Sequence, residues 1–176
     1  MHNSIVITVI GSDKAGFVHD LTRTINENNG NIIESRMIML GTEFAVIMLV
    51  DANWHATTKI EHELKKHGQA NDMQIVVRKS SKSENLNNFL PYEADLVTVD
   101  HPGIIHNISG FFSEKGITIG EIKSKQFHAP HTGAVMFQAV IQIYVPGSIS
   151  ISKLRDEFVQ YCDQENIDGL LEPIKH

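Results

Sequence analysis

Hydrophobic and polar positions along this chain follow two periods, and the period switches repeatedly. Ser4 to Ile10 is a β-branched, apolar run closed by Gly11-Ser12-Asp13, which predicts a strand. From Gly16 the period changes. Phe17, Val18, Leu21 and Ile25 fall on one face at 3.6 residues per turn, predicting an amphipathic helix that stops at Asn28-Asn29-Gly30. Asn31 to Leu40 and Glu43 to Asp51 read as two strands joined by a tight hairpin at Gly41-Thr42. Thr57 to His67 carries Ile60 and Leu64 one turn apart and predicts a second helix closing at Gly68, and Met73 to Arg78 predicts a last strand. The order is β-α-β-β-α-β.

The pattern then starts again. Val6 to His19 sits beside Glu93 to His106, with Asp13 matching Asp100, Gly16 matching Gly103 and His19 matching His106, all at an offset of 87. Further on, Asn29 to Glu34 is matched to Lys115 to Gly120 at an offset of 86, which implies one deletion. In the second copy Ala94 to Val99 predicts a strand and Gly103 to Lys115 a helix. Ile117 to Phe127 and Ala134 to Val145 predict strands around the turn His128 to Gly133. Ser150 to Gln164 predicts a helix, and Leu170-Leu171 a weaker strand. Two copies are too few for a solenoid, so the chain reads as a duplicated α+β domain. The split βαβ order predicts, for each copy, a four-stranded antiparallel sheet with two helices on one face.

Charge supports a boundary between the copies. Residues 1–82 carry nine Lys+Arg and nine Asp+Glu, whereas residues 83–176 carry six and twelve and hold all of the net −6. The polar, aperiodic stretch Lys79 to Asn88 reads as a linker. The expected division is a first domain over 1–79, a linker over 80–90 and a second domain over 91–176. Strands at Met73 to Arg78 and Leu170-Leu171 are expected at sheet edges, where a homodimer could pair.

At 176 residues, 41% apolar and 20% charged, the chain has the composition of an ordinary globular protein. Its longest apolar run, Phe44 to Val50, falls far short of the roughly 20 residues of a membrane span, so no membrane is expected. The N-terminus has no Lys or Arg before its apolar stretch and no small-residue cleavage site, so no secretory signal is expected. One cysteine, Cys162, permits neither an internal disulfide nor a cysteine-built zinc site, and a reducing cytoplasm is the expected compartment. The negative charge argues against direct binding to nucleic acid.

The loop between first strand and first helix is the strongest candidate for chemistry in each copy: Gly11 to Phe17, and Asp100 to Ile104. It leads into a helix N-terminus, where free N–H groups and the helix dipole favour an anion, and Gly16 and Gly103 allow close approach to the backbone. The plainer reading is that Asp13 and Asp100 cap those amides themselves and that Pro102 merely suits a first helical turn. Ten histidines raise the question of metal. His62 and His67 are five apart and leave one helical face, and His128 and His131 lack a third ligand, so no metal site and no cofactor is expected. His19 and His106 lie opposite the apolar stripes and are expected to be exposed. No nucleophile elbow, phosphate loop or dinucleotide fingerprint occurs, Cys162 reads as a buried, inert thiol, and Trp54 reads as packing.

The acidic-x-x-Gly loops Asp13-Lys14-Ala15-Gly16 and Asp100-His101-Pro102-Gly103, within βαββαβ copies and with Gly30-Asn31-Ile32 following the first, resemble the ACT domain. Two ferredoxin-like ACT units and nothing else resemble the glycine cleavage system transcriptional repressor family, most specifically over residues 5–51. The resemblance implies an amino-acid-responsive transcriptional regulator, not an enzyme. It implies glycine as effector and action through a partner DNA-binding activator. The ligand-binding residues it implies are Asp13, Gly16, Phe17, Val18, Asn31 and Ile32 in the first unit, and Asp100, Gly103, Ile104 and Ile105 in the second. Two departures bear on this. Ala15 replaces the usual Pro, and Ile117-Thr118 is taken to stand where the first unit has Asn31-Ile32, so the second unit lacks the amide. An interaction module without a working effector site, or a small enzyme, are the alternatives. ACT units also open some folate deformylases, but those carry a large separate catalytic domain.

Overall fold

A computed structural model describes residues 2–12, 14–80 and 88–174. The chain divides into two compact units near residue 84. The first runs β1 (His2–Ser12), α1 (Phe17–Glu27), β2 (Asn31–Leu40), β3 (Glu43–Asn53), α2 (Trp54–Asn71) and β4 (Gln74–Ser80). The second runs β5 (Phe89–Val99), α3 (Ile104–Glu114), β6 (Thr118–His128), β7 (Val135–Pro146), α4 (Ile151–Glu165) and β8 (Asp168–Pro173). Each unit is the ferredoxin-like fold, an antiparallel sheet of order β2-β3-β1-β4 in the first and β6-β7-β5-β8 in the second.

Alternation in the strands and the helical stripe meet in one core per unit. In the first, Ile5, Ile7 and Val9 of β1 and Val46, Met48 and Val50 of β3 are buried under Leu21 and Ile25 of α1 and Ile60 and Leu64 of α2. In the second, Leu96, Ile141 and Ile143 lie under Ile108 and Phe112 of α3 and Leu154, Phe158 and Cys162 of α4. The rings of Phe112 and Phe158 stack with centroids 6.2 Å apart. Cutting either ring back to alanine removes about 3–5 kcal/mol by the usual cost of such a cavity.

Several element ends differ from expectation. The second helix does not stop at Gly68 but runs on to Asn71. Gly68 is a site of close packing rather than a terminus, since a Cβ there would stand 2.8 Å from the carbonyl oxygen of Met73. The stop is Asp72, in the left-handed region at φ 56°, with the Met73 amide donating back to Gly68 O at 2.9 Å. At the other end α2 starts earlier, because Asn53 Oδ1 accepts from the Ala56 amide at 2.9 Å and caps it. Trp54 therefore sits on the first turn, 56% exposed, and is not part of the core. The expected linker lies mostly outside the described residues. β4 takes in Ser80, and β5 begins at Phe89, ahead of the expected domain start at 91.

The alignment of the copies also changes. Asn28 and Lys115 are the C-caps of α1 and α3, and the next residues, Asn29 and Gly116, are both left-handed. The amides of Gly30 and Ile117 then donate to Ile25 O and Phe112 O. The offset is thus 87 here too, and no deletion is needed. Thr118-Ile119, not Ile117-Thr118, occupies the place of Asn31-Ile32. The shared left-handed turn fixes this register, and glycine satisfies it in one copy where asparagine does in the other.

Candidate functional site

Each loop into a first helix ends on a glycine in a backbone conformation that residues with a Cβ rarely adopt. Gly16 has φ 88° and Gly103 has φ 97°, and nothing lies within 4 Å of where a Cβ would be at either. The demand for glycine is therefore conformational and not steric. Both glycines are the N-caps, so the capping residue itself supplies no side-chain acceptor to the first-turn amides. The helices begin with the Asp20 and Asn107 amides donating to Gly16 O and Gly103 O at 3.0 and 2.9 Å.

The expected site residues separate by environment. Asp13 lies outside the described residues. Asp100 is tied to the strands: its Oδ2 accepts from Gln126 Nε2 at 2.7 Å and its amide donates to Val135 O at 2.9 Å. Phe17 and Ile104 point inward and are buried, Phe17 between Phe44 and His67 with ring centroids about 6 Å away from each. Neither side chain is open to a ligand, and the Phe17 amide is already taken, donating to Lys14 O at 3.1 Å. Val18 and Ile105 are half-buried on the helix flank.

Asn31 and Ile32 belong to a different place. With His19, Thr22, Arg23, Ile25, Asn26 and Gly30 they line a groove of about 470 Å³ between α1 and the start of β2. Gly16 and Val18 are not part of this lining. His19 lies in the first turn of α1 and is exposed as expected. Thr22, Arg23 and Asn26 were not singled out from the sequence. The signal that finds them is their spacing, since 19, 22, 23 and 26 form one stripe of a helix. Arg23 is held in place by Asp20 at 2.9 Å.

The second unit does not keep this chemistry. At the shared offset Arg23 becomes Gly110, Asn26 becomes Ser113 and Asn31 becomes Thr118. Its groove-side stripe has lost the guanidinium and both amides, so the two copies differ in what they can bind.

Among the described residues no group of three or more His, Cys, Asp or Glu side chains is arranged to hold a metal, and no helix is long and apolar enough to cross a membrane. Cys162 is buried, and burial pushes its thiol up to about 11, which leaves almost no thiolate at neutral pH.

The fold and the glycine-capped loops define a class, and sequence comparison agrees with it. The profile of the ACT domain matches residues 3–78. The chain belongs to the ACT-domain family through its first unit, and its second unit repeats the same fold. It resembles the glycine cleavage system transcriptional repressor of Escherichia coli K12 over nearly its whole length: 27% identical over 172 residues, 98% of this chain and 90% of that one. Its first unit is 33% identical over 76 residues to a UPF0237 protein of Methanocaldococcus jannaschii, covering 42% of this chain and 84% of that one. A solved structure of an unknown protein from Galdieria sulphuraria superposes with a TM-score of 0.84 at 26% identity, covering 99% of this chain and all of that one.

Proposed function

We propose that this protein is an amino-acid-responsive regulator of transcription of the glycine cleavage repressor type. It has no catalytic role and acts in the cytoplasm through a partner DNA-binding regulator. The observation that carries the reading is coverage: the similarity to a named transcriptional repressor runs through both units and not through one shared module. The net charge of −6 favours a protein partner over the phosphate backbone of DNA.

In this reading the effector is glycine or another small amino acid, and the first unit senses it. The carboxylate meets the Val18 and His19 amides in the first turn of α1, together with Arg23, and the ammonium meets the Asn31 amide oxygen. The second unit, with Gly110 and Thr118 at the matching positions, supports the assembly and contributes little affinity. Differential affinity of the effector for one conformation of the first unit over another carries the signal to the partner.

A thermal-shift panel of the twenty amino acids on the intact chain tests this. An effector at 100 times its dissociation constant adds about 2.7 kcal/mol, which raises the melting point by several degrees. The expected result is a shift with glycine or a close relative, lost in Arg23→Ala and in Asn31→Ala and kept in His131→Ala. No shift with any amino acid would sink direct sensing and leave an interaction module.

A further inference from the structure

The two sheets have the same topology, but their open faces differ in chemistry. In the first unit, β-pairing places Glu34, Leu49, Val6 and Arg78 in one row across the four strands. The next rows place Arg36, Ile47, Thr8 and Val76, then Ile38, Ala45, Ile10 and Gln74, across the same face. This face turns away from the helices, yet Ile10, Ile38, Ile47 and Val76 are each about half exposed, at 45%, 51%, 48% and 54%. In the second unit the row equivalent to the first is Glu121, Gln142, Glu93 and Glu172. Three carboxylates there keep that face in water. The first face thus carries four half-exposed aliphatic side chains, which solvent contact alone does not favour.

The first row also carries its charges in a self-complementary way, an acid on edge strand β2 and a base on edge strand β4. A twofold axis parallel to the strands lays β2 of one copy over β4 of the other, and β3 over β1. Glu34 then faces Arg78 twice, and Leu49 faces Val6 twice. Glu34 is already oriented by Arg36, 3.0 Å away on the same strand.

We infer that the open face of the first sheet is the homodimer interface of this protein, with two copies stacked face to face about an axis parallel to the strands. Four strands about 4.8 Å apart, each with about seven residues in the sheet, give a platform of roughly 19 by 23 Å. Sheets packed about 10 Å apart interdigitate their side chains, so the area buried exceeds this projection and falls at the small end of specific interfaces. The dimer is therefore concentration-dependent. The second sheet, with its acidic row, stays outside the interface because like charges would meet.

Sedimentation of the full-length chain from about 1 to 300 μM tests the arrangement. The wild type is expected to move from monomer to dimer over this range. Ile47→Asp, on a surface position that leaves the core intact, weakens association by at least about 100-fold, because two carboxylates become buried without partners. Arg78→Glu alone weakens it by about tenfold, and combining it with Glu34→Arg restores much of the loss. Far-UV circular dichroism and melting confirm that each variant is folded. A monomer throughout the range overturns the inference. So does a dimer indifferent to Ile47→Asp, a failure of the charge swap to restore association, or a dimer split by Val140→Asp on the second sheet.

Discussion

Gly169 on β8 lies directly against the sulfur of Cys162 on α4, with no room for a Cβ between them. The pair joins the last strand to the last helix in a core where Cys162 acts as a small apolar side chain. Gly169→Ala is therefore expected to lose about 1–3 kcal/mol through overpacking. Adding Cys162→Ala should recover part of that loss, since it removes the sulfur that the new methyl meets. Chemical denaturation of the four proteins of this cycle measures the coupling, and additive losses would show that the contact is not the cause.

Alkaline pH should weaken the second unit. Burial pushes the Cys162 thiol up from 9.0 to about 11 and the Tyr161 hydroxyl from 10.0 to about 12. Both groups are neutral in the fold and ionise more readily when it opens. Their contribution is complete below pH 9 and is lost as pH rises through 11 to 12. Melting curves from pH 7 to 12 should show the decline, and Cys162→Ala should remove the part that begins near pH 9.

Glu157 titrates in the opposite sense. It bonds to Lys115 and lies 3.7 Å from Lys153, and the hydrogen bond with Lys115 is the main cause that holds its carboxyl below the ordinary value of 4.5. A lowered acid stabilises the fold above its unfolded value and loses that contribution as pH falls through the folded one. The group is partly open to solvent, so the effect on stability is small. Carboxyl-carbon NMR titration should place Glu157 below 4.5 in the wild type and closer to 4.5 in Lys115→Met.

Gly16 and Gly103 answer to backbone conformation alone. Replacing either by alanine puts a Cβ in the left-handed region and should cost about 1 kcal/mol with no change in core packing. Asparagine, which tolerates that region, should cost less. Denaturation midpoints of Gly16→Ala and Gly16→Asn test this, and equal stability of both with the wild type would exclude backbone strain as the reason for glycine.

Much of the chain was legible before folding. Ile5, Ile7 and Val9 alternate because every second residue of a strand faces the helices, and Leu21 and Ile25 recur because one stripe of α1 meets them. The candidate site was legible only in part. Gly16 and Gly103 stood out because positive φ has a residue signature. The groove did not, because its lining joins residues 19–26 of a helix to residues 30–32 at the entry to a strand. Gly68 misled because a glycine that makes room for a neighbour looks the same in sequence as one that ends a helix.

The sequence by itself determined the duplicated βαββαβ order, the core of each unit and the loops that require glycine. These depend on local periodicity and on the conformational limits of single residues, which are written residue by residue. Tertiary structure decided the rest. It set the true register of the two copies at Asn29 and Gly116, since only the hydrogen bonds to Ile25 and Phe112 fix which residues correspond. It brought Asn31 to His19 and Arg23, and it tied Asp100 to Gln126 across the sheet. It also placed Glu34 and Arg78 at opposite ends of one row. Strand pairing sets such relations between residues far apart in the chain, and a periodic pattern carries no record of which strand lies beside which.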